Sequence, residues 1–136
     1  MRIERLFDAK PIKLWSACTQ PKQVSKWLGS DPNGTVEEVL ISLVPGGTYL
    51  YVFADADGTR HVAFGAFLTI EACKKLKYSW EWEAEPGQIS YLEWEFLENQ
   101  HQTLVVLTHS NLNPTSSHGY SEGWSRTLTK LAKSLL

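Results

Sequence analysis

Six glutamates between residues 78 and 98 are the first side chains that could do chemistry. They alternate with large aromatic residues on both sides of the Pro86-Gly87 break, and they are Glu81, Glu83, Glu85, Glu93, Glu95 and Glu98. Carboxylates act as general acids or bases where burial shifts their pKa. In a strand, however, successive side chains point to opposite faces. The alternation therefore predicts that most of these carboxylates lie on the solvated face of a sheet and take no part in catalysis.

The segment GYSEG, residues 119–123, matches the G-x-S-x-G pattern of a hydrolase nucleophile. That pattern requires a strand before the serine, with an acid and a histidine later in the chain. Here a polar loop precedes Ser121, and neither Asp nor His follows it. We interpret the match as chance, and we expect Gly123 to let a helix approach the sheet closely.

Four histidines could act as bases or ligand contacts. His61 and His101 fall at strand or turn positions that we expect to be exposed, and His118 is expected in the first turn of the last helix. His109 shares its strand parity with Val105 and Leu107, which predicts that it points toward the mouth of a cavity. A structural, hydrogen-bonded histidine is the alternative at that position.

The residues give no sign of a metal or cofactor site. Cys18 and Cys73 lack both CxxC spacing and a nearby histidine pair, so neither zinc nor a redox dithiol is indicated. Gly46-Gly47 is followed by a strand and not by lysine, so it is no phosphate loop. We expect no metal and no cofactor. Two scattered cysteines are typical of a reducing cytosol.

Aromatic residues are more numerous than a thin interface between sheet and helix needs. A densely packed core is the simpler interpretation, and we favour it for Trp15 and Phe53. Large rings held apart by a curved sheet also leave apolar space, and such space binds ligands. The rings in question are Trp15, Trp27, Tyr49, Tyr51, Phe53, Phe67, Trp80, Trp94 and Trp124.

The elements that must position these side chains follow from the pattern of the chain. Residues 2–7 alternate as a strand, and Pro11 and Pro21 each open a short helix, over 11–18 and 21–28. Thr19 is a candidate cap and Gly29 a stop for the second helix. From Val36 onward, apolar and polar residues alternate with a period of two. This pattern predicts six strands joined by short turns in an antiparallel meander. These strands are 36–43, 48–53, 61–70, 74–83, 89–98 and 103–109.

The end of the chain has helical spacing. Apolar residues recur along one stripe between His118 and Leu136, and Ser116 or Ser117 could cap the helix. The predicted order is β-α-α-β6-α, an α+β fold in a single domain over residues 1–136. A curved antiparallel sheet of about seven strands, covered on one face by this helix, buries both apolar surfaces. In one allowed register of the hairpin, Lys77 lies opposite Glu95.

Composition narrows the class of partner. The chain has 136 residues, with 13 basic and 15 acidic, a formal charge of −2 and no basic block. Nucleic acid is therefore not expected as a partner, because phosphate neutralisation needs clustered Lys and Arg. No apolar run approaches the ~20 residues of a membrane span, and MRIERLF lacks an apolar core, so we expect no signal peptide there. We expect a cytoplasmic protein that does not bind membranes, either a monomer or a homodimer.

Several blocks of the chain occur in a specific order. They are RLFDAKPIKLWSACTQPKQVSKWL, GGTYLYVF, DG followed by FGAFLTI, KLKYSWEW, TLVVLTH and EGWSRTLTKLAKSLL. In order and spacing they resemble the family related to the activator of Hsp90 ATPase, within the START/Bet v 1-like (SRPBCC) superfamily. The resemblance implies a helix-grip fold, in which the sheet wraps the C-terminal helix around a hydrophobic cavity.

The resemblance also implies a range of functions. A binding protein for a small apolar or aromatic ligand is the first expectation. The alternatives are an interaction module for a chaperone or another ATPase, and a cyclase-like or hydrolase-like enzyme that uses the same cavity. Binding is expected before catalysis, and no catalytic residue is assigned. The resemblance places the cavity wall at Trp27, Tyr49, Tyr51, Phe67, Trp80, Trp94, His109 and Trp124.

Overall fold

The chain folds in the predicted order β-α-α-β6-α. A computed structural model describes residues 1–116 and 118–136. The elements are β1 (Arg2–Phe7), α1 (Pro11–Thr19), α2 (Pro21–Val24), β2 (Thr35–Ile41), β3 (Thr48–Ala54), β4 (Arg60–Glu71), β5 (Lys75–Trp82), β6 (Ser90–Asn99), β7 (Gln102–Ser110) and α3 (Tyr120–Ser134). Among the described residues, no helix is long and apolar enough to cross a membrane.

The strands form one antiparallel sheet in the order β1-β7-β6-β5-β4-β3-β2. Strands β2 to β7 run as a meander, as their short turns predict. Strand β1 joins the far edge beside β7, with Ile3 opposite Leu107. Bulges interrupt the pairing of β2 with β3 and of β4 with β5. Because a bulge increases local twist and bend, the sheet curves around α3.

The core lies between the inner face of the sheet and the helices. Burial alternates strictly along β5, which confirms the predicted separation of aromatic and charged faces. The apolar and aromatic side chains that alternate with the glutamates on β5 and β6 form an inner wall that is buried throughout: Tyr78, Trp80, Trp82, Leu92, Trp94 and Phe96. Helix α3 covers it with Trp124, Leu128 and Leu131. Fully burying side chains of this size stabilises the fold by about 1.5–3 kcal/mol each.

The register of the β5–β6 hairpin differs from the predicted one by two residues. Lys77 lies opposite Glu93, and Glu95 lies opposite Lys75. The pairing of β5 with β6 ends at Trp80, and the last residues of β5 pair only with β4. The loop between the two strands is therefore longer than a tight turn, which shifts every pair.

A glycine in β4, Gly65, allows the backbone of β5 to approach β4 closely. A Cβ on Gly65 would lie 2.0 Å from the carbonyl oxygen of Ser79, so no other residue fits without displacing β5. The expectation that Gly123 performs this role in α3 was wrong. The nearest atom to a Cβ at Gly123 is the Ser30 Cβ at 3.9 Å, an ordinary contact.

The helix ends also differ from the expected ones. Helix α2 ends at Val24, four residues before Leu28, and the chain turns away at Gly29, whose φ is +94°. Thr19 is not its cap, since its hydroxyl donates to the Trp15 carbonyl. Helix α3 begins at Tyr120, after His118. Its N-cap is Gly119, which makes no side-chain capping bond. Ser116 bonds Glu85 instead of capping, and Ser117 lies outside the described residues.

Candidate functional site

A cleft of about 100 Å³ lies where the start of α3 leaves the inner face of the sheet. One wall is the loop that follows α2, and the other walls are β3 to β5 and the first turns of α3. Its aromatic lining consists of Phe53, Trp80, Trp82, Tyr120 and Trp124. Polar side chains lie between these rings. The cleft lies at one end of α3 and not along its length.

The loop wall of the cleft is fastened to α3 by a lysine. The Lys130 ammonium donates to the carbonyl oxygens of Leu28 and Asp31, at 3.1 and 3.0 Å. Burial lowers the pKa of Lys130, and the nearby Asp31 carboxylate opposes that shift. Asp31 in turn accepts from the Ala56 N–H at 2.8 Å, which joins the loop to the β3–β4 turn. These bonds hold Gly29 and Ser30 in place on one side of the cleft.

Two of the eight residues predicted for the cavity wall line this cleft. They are Trp80 on β5 and Trp124 on α3. The other six are buried in the core outside the lining, and their role as ligand contacts stays a prediction. These six are Trp27, Tyr49, Tyr51, Phe67, Trp94 and His109.

Three tyrosines form a closed cluster beside the cleft. The rings of Tyr49 and Tyr51 lie 4.6 Å apart, and those of Tyr49 and Tyr78 lie 5.0 Å apart. Burial raises the pKa of all three phenols. The Tyr49 hydroxyl donates to the Ser79 carbonyl, and the Tyr78 hydroxyl accepts from the Trp94 indole at 2.9 Å. This cluster is packed and internally hydrogen-bonded, as in a structural core.

His109 is completely buried and does not face the mouth of the cleft, contrary to the prediction. The Trp124 indole N–H donates to its Nδ1 at 3.0 Å, so that nitrogen has no proton. The proton is then on Nε2, which donates to the Ser90 Oγ at 2.7 Å. Burial, together with the amino-terminal charge, lowers the pKa of His109 to about 3. A neutral imidazole thus joins α3 to the sheet.

The prediction that His61 is exposed was also wrong. Its side chain is 19% exposed, its Nε2 lies 3.0 Å from the Asp55 Oδ2, and its ring lines the cleft. Strand parity contained the signal: His61 has the parity of Ala63, which is fully buried opposite Trp82. Strict alternation along β4 predicts the inward side chain.

His118 makes the most defined polar contact of the site. Its ring stacks on Trp82 with centroids 4.0 Å apart and planes 5° apart. Its Nδ1 lies 3.0 Å from the Glu85 Oε2, and the Ser116 hydroxyl donates to the same oxygen. Burial lowers the pKa of His118, and the Glu85 charge opposes this shift. Glu85 is thus an exception to the solvated face predicted for the glutamates.

Two indole groups of the lining differ in their hydrogen bonds. The Trp82 Nε1 donates to the Tyr120 hydroxyl at 3.0 Å. The Trp80 Nε1 is the one buried side-chain nitrogen or oxygen without a partner in the part of the chain that the structure describes. Most buried polar groups are paired, so this indole is an exception among the described residues of the core.

The residues that the structure describes contain no group of three or more His, Cys, Asp and Glu side chains that could hold a metal ion. The two histidine–carboxylate pairs orient imidazoles and form no such group. What the cleft can do chemically is enclose an apolar ring next to the imidazoles of His61 and His118.

A curved antiparallel sheet wrapped on a C-terminal helix defines the helix-grip class, and solved structures share it. The structure of protein CV1439 from Chromobacterium violaceum superposes with a TM-score of 0.85 at 20% identity, covering 98% of this chain and 94% of that one. The AHSA1 protein SPO3351 from Silicibacter pomeroyi gives 0.82 at 23% identity, with 99% and 96% covered. CalU16 from Micromonospora echinospora gives 0.69 at 28% identity, with 98% and 74% covered.

The family model of the Activator of Hsp90 ATPase homolog 1-like protein matches residues 8–135. The chain therefore belongs to the AHSA1 family. A comparison with curated proteins gave no match.

Proposed function

We propose that the protein binds a small apolar or aromatic molecule in the cleft between the sheet and α3. The observation that carries this proposal is the lining, in which five aromatic rings surround open space. Ligand sites are typically concave and mostly apolar, with a few placed polar groups. The histidine–carboxylate pairs of His61 and His118 are groups of that kind at the edge of the cleft.

The volume of the cleft limits the part of a ligand that it encloses. Sites for drug-sized ligands have about 300–1,000 Å³, whereas this cleft has about 100 Å³. An engineered apolar cavity of about 150 Å³ binds benzene. The enclosed part is therefore one ring, and the rest of a larger ligand extends into solvent.

The test is binding of toluene, followed by NMR of the indole N–H signals, together with native mass spectrometry of freshly purified protein. Gly123 lines the cleft, and a Cβ there meets only an ordinary contact at 3.9 Å, so Gly123→Phe should fill the cleft and abolish toluene binding. Ser121→Phe adds the same ring two residues away at an exposed position of α3, and it should bind toluene like the wild type.

Equal binding by wild type and Gly123→Phe would place the guest elsewhere. Absence of any toluene-induced shift in the wild type, and of any co-purified ligand mass, would contradict the proposal.

A second candidate is a protein-binding surface on the outer face of the sheet, as the family description suggests for a chaperone ATPase. An apolar row crosses three strands there, with Leu40 opposite Leu50 and Leu50 opposite Phe64. Leu40 is 52% exposed and Phe64 is 36% exposed. Glu81 continues the row opposite Phe64. The surface thus combines apolar and charged contacts.

This surface is tested by a pull-down with a purified Hsp90-type ATPase. Leu40→Glu and reversal of charge at Glu81 and Glu93 should each weaken capture, and added salt should weaken it further. Gly123→Phe serves as the control, because it alters the cleft and leaves the outer face intact. Capture that is unaffected by all three outer-face changes would exclude this surface.

A further inference from the structure

The short segment 28–31 forms one side of the cleft and is held at both of its ends by the same side chain. Its middle residues, Gly29 and Ser30, line the cleft together with Leu28. The carbonyl oxygens of Leu28 and Asp31 accept hydrogen bonds from the Lys130 ammonium, at 3.1 and 3.0 Å. Because Lys130 belongs to α3, these two bonds fix the distance between the segment and the helix.

Gly29 and Ser30 closely contact both opposing walls of the cleft. A Cβ at Gly29 would lie 3.0 Å from the Cδ2 of Phe53, so the backbone at Gly29 rests on that ring. The Ser30 Cβ would lie 3.9 Å from a Cβ at Gly123 of α3. Among residues 1–116 and 118–136, neither Gly29 nor Ser30 makes a hydrogen bond of its own. The position of these two residues, and with it the width of the cleft, therefore depends on the bonds at the ends of the segment.

Loss of the Lys130 ammonium would move the segment toward solvent. Hydrogen bonds from a charged donor are stronger than those between neutral groups. Without this donor, the Leu28 carbonyl has no partner among the described residues, whereas the Asp31 carbonyl keeps the Gly34 N–H at 3.0 Å. An unpaired carbonyl inside the protein costs free energy, and movement outward pairs it with water. The same movement carries Gly29 and Ser30 away from α3 and widens the cleft.

We propose that Lys130 determines the size of the ligand. Its bonds to segment 28–31 restrict the cleft to a single aromatic ring, and without them the cleft admits two fused rings. Lys130 does not line the cleft, so it is a positioning residue that acts through Gly29 and Ser30. This inference rests on the proposed function and specifies which ligands the same site admits.

The experiment compares toluene with naphthalene, which is also an aromatic hydrocarbon but has two fused rings. Both are titrated into the wild-type protein and into Lys130→Met, and binding is followed by the indole N–H signals. The wild type should bind naphthalene more weakly than toluene. In Lys130→Met the naphthalene-to-toluene affinity ratio should rise about tenfold, a typical discrimination of an apolar pocket against a group that is too large. A general loss of stability would weaken both affinities and leave their ratio unchanged.

Three further variants assign the change to the bonds of Lys130. Lys133→Met makes the same replacement at an exposed position of α3, and the affinity ratio should stay at its wild-type value. Lys130→Arg keeps a charged donor for both carbonyls, so the ratio should stay close to that of the wild type. Gly123→Phe, combined with Lys130→Met, should abolish naphthalene binding, because the added ring fills the widened cleft.

Asp31→Ala loosens the same segment without a change in α3. The Asp31 carboxylate accepts from the N–H groups of Ala56 and Asn33, at 2.8 and 2.9 Å. Loss of these bonds frees one end of the segment, so the naphthalene-to-toluene ratio should rise here too, by less than in Lys130→Met. If Lys130→Met does not fold, Asp31→Ala decides the question.

The outcomes distinguish this inference from the proposed function. An unchanged ratio in folded Lys130→Met, or in Asp31→Ala where Lys130→Met does not fold, overturns the inference while the proposed function stands. The same holds if Lys133→Met raises the ratio as much, if Gly123→Phe leaves naphthalene binding intact, or if the wild type binds naphthalene as tightly as toluene. If neither compound binds to the wild type, the proposed function fails as well.

Discussion

At the scale of single residues, the large rings of the core differ in whether their polar atoms have a hydrogen-bond partner. Trp94 donates to Tyr78 and is completely buried. Trp124 donates to His109, and Trp82 donates to Tyr120. These bonds are specific and hold neighbouring elements together. The Trp80 indole has no such bond among the described residues, although it is buried to a similar degree.

Replacement of Trp80 and Trp94 by phenylalanine should therefore cost different amounts of stability. Trp94→Phe loses both buried volume and a hydrogen bond, with an expected cost of about 2–4 kcal/mol. Trp80→Phe loses volume but also removes an unpaired buried donor, so its cost should be lower by about 1 kcal/mol or more. Urea unfolding of both variants measures the difference. Equal costs would show that the Trp80 N–H is satisfied in solution.

At the scale of elements, the period-two pattern predicted every strand to within two residues of its observed bounds. The register of one hairpin and the end of one helix were predicted less well, because both depend on the conformation of turns. The register of the β5–β6 hairpin could not be predicted, because the pairing of β5 with β6 stops at Trp80 while β5 continues beside β4 to Trp82. The shortened α2 was missed because helical spacing continues to Leu28 although the helix ends at Val24.

Alanine substitutions at two glycines, Gly65 in β4 and Gly123 in α3, should change stability in opposite directions and so test the packing of these elements. Gly65→Ala places a Cβ 2.0 Å from a backbone oxygen of β5, and we expect a loss of at least ~3 kcal/mol or failure to fold. Gly123→Ala meets only an ordinary contact at 3.9 Å within a helix, and we expect a gain of about 0.5–1 kcal/mol. Thermal unfolding compares the two. Tolerance of alanine at Gly65 would show that β4 and β5 separate there readily.

At the scale of the whole molecule, the sequence predicted the architecture well and the cleft only in part. Parity identified the inner aromatic wall, but it does not distinguish rings packed on rings from rings that border a space. That distinction depends on where α3 diverges from the sheet, which no local pattern contains. The pair of His118 and Glu85 joins segments 33 residues apart, so only the folded chain brings these two side chains together.

The global stability should fall in acid because of His109. Its pKa in the folded protein is about 3, below the ordinary 6.5 that the unfolded chain retains. Between these values the unfolded state binds a proton that the folded state does not, so stability present above pH 6.5 is lost as pH falls toward 3. The slope contributed by this residue approaches about 1.4 kcal/mol per pH unit.

Urea unfolding at several pH values between 7 and 4 measures this slope. His109→Gln should be less stable at pH 7 but should show a shallower decline, since glutamine does not titrate. His101→Gln, which removes an exposed histidine, should keep the slope of the wild type. An unchanged slope in His109→Gln would mean that His109 is protonated in the native protein.

The position of β1 also affects how the chain reaches its fold. Because Arg2 to Phe7 pair with Thr103 to Thr108, one edge of the sheet closes between segments about a hundred residues apart in the chain. Contacts of such long sequence separation slow folding, because the loop must close before they form. During synthesis the residues of β1 leave the ribosome early, yet they wait for β7 to emerge before they pair. We therefore expect docking of β1 to be a late step, with the meander of β2 to β6 able to form first.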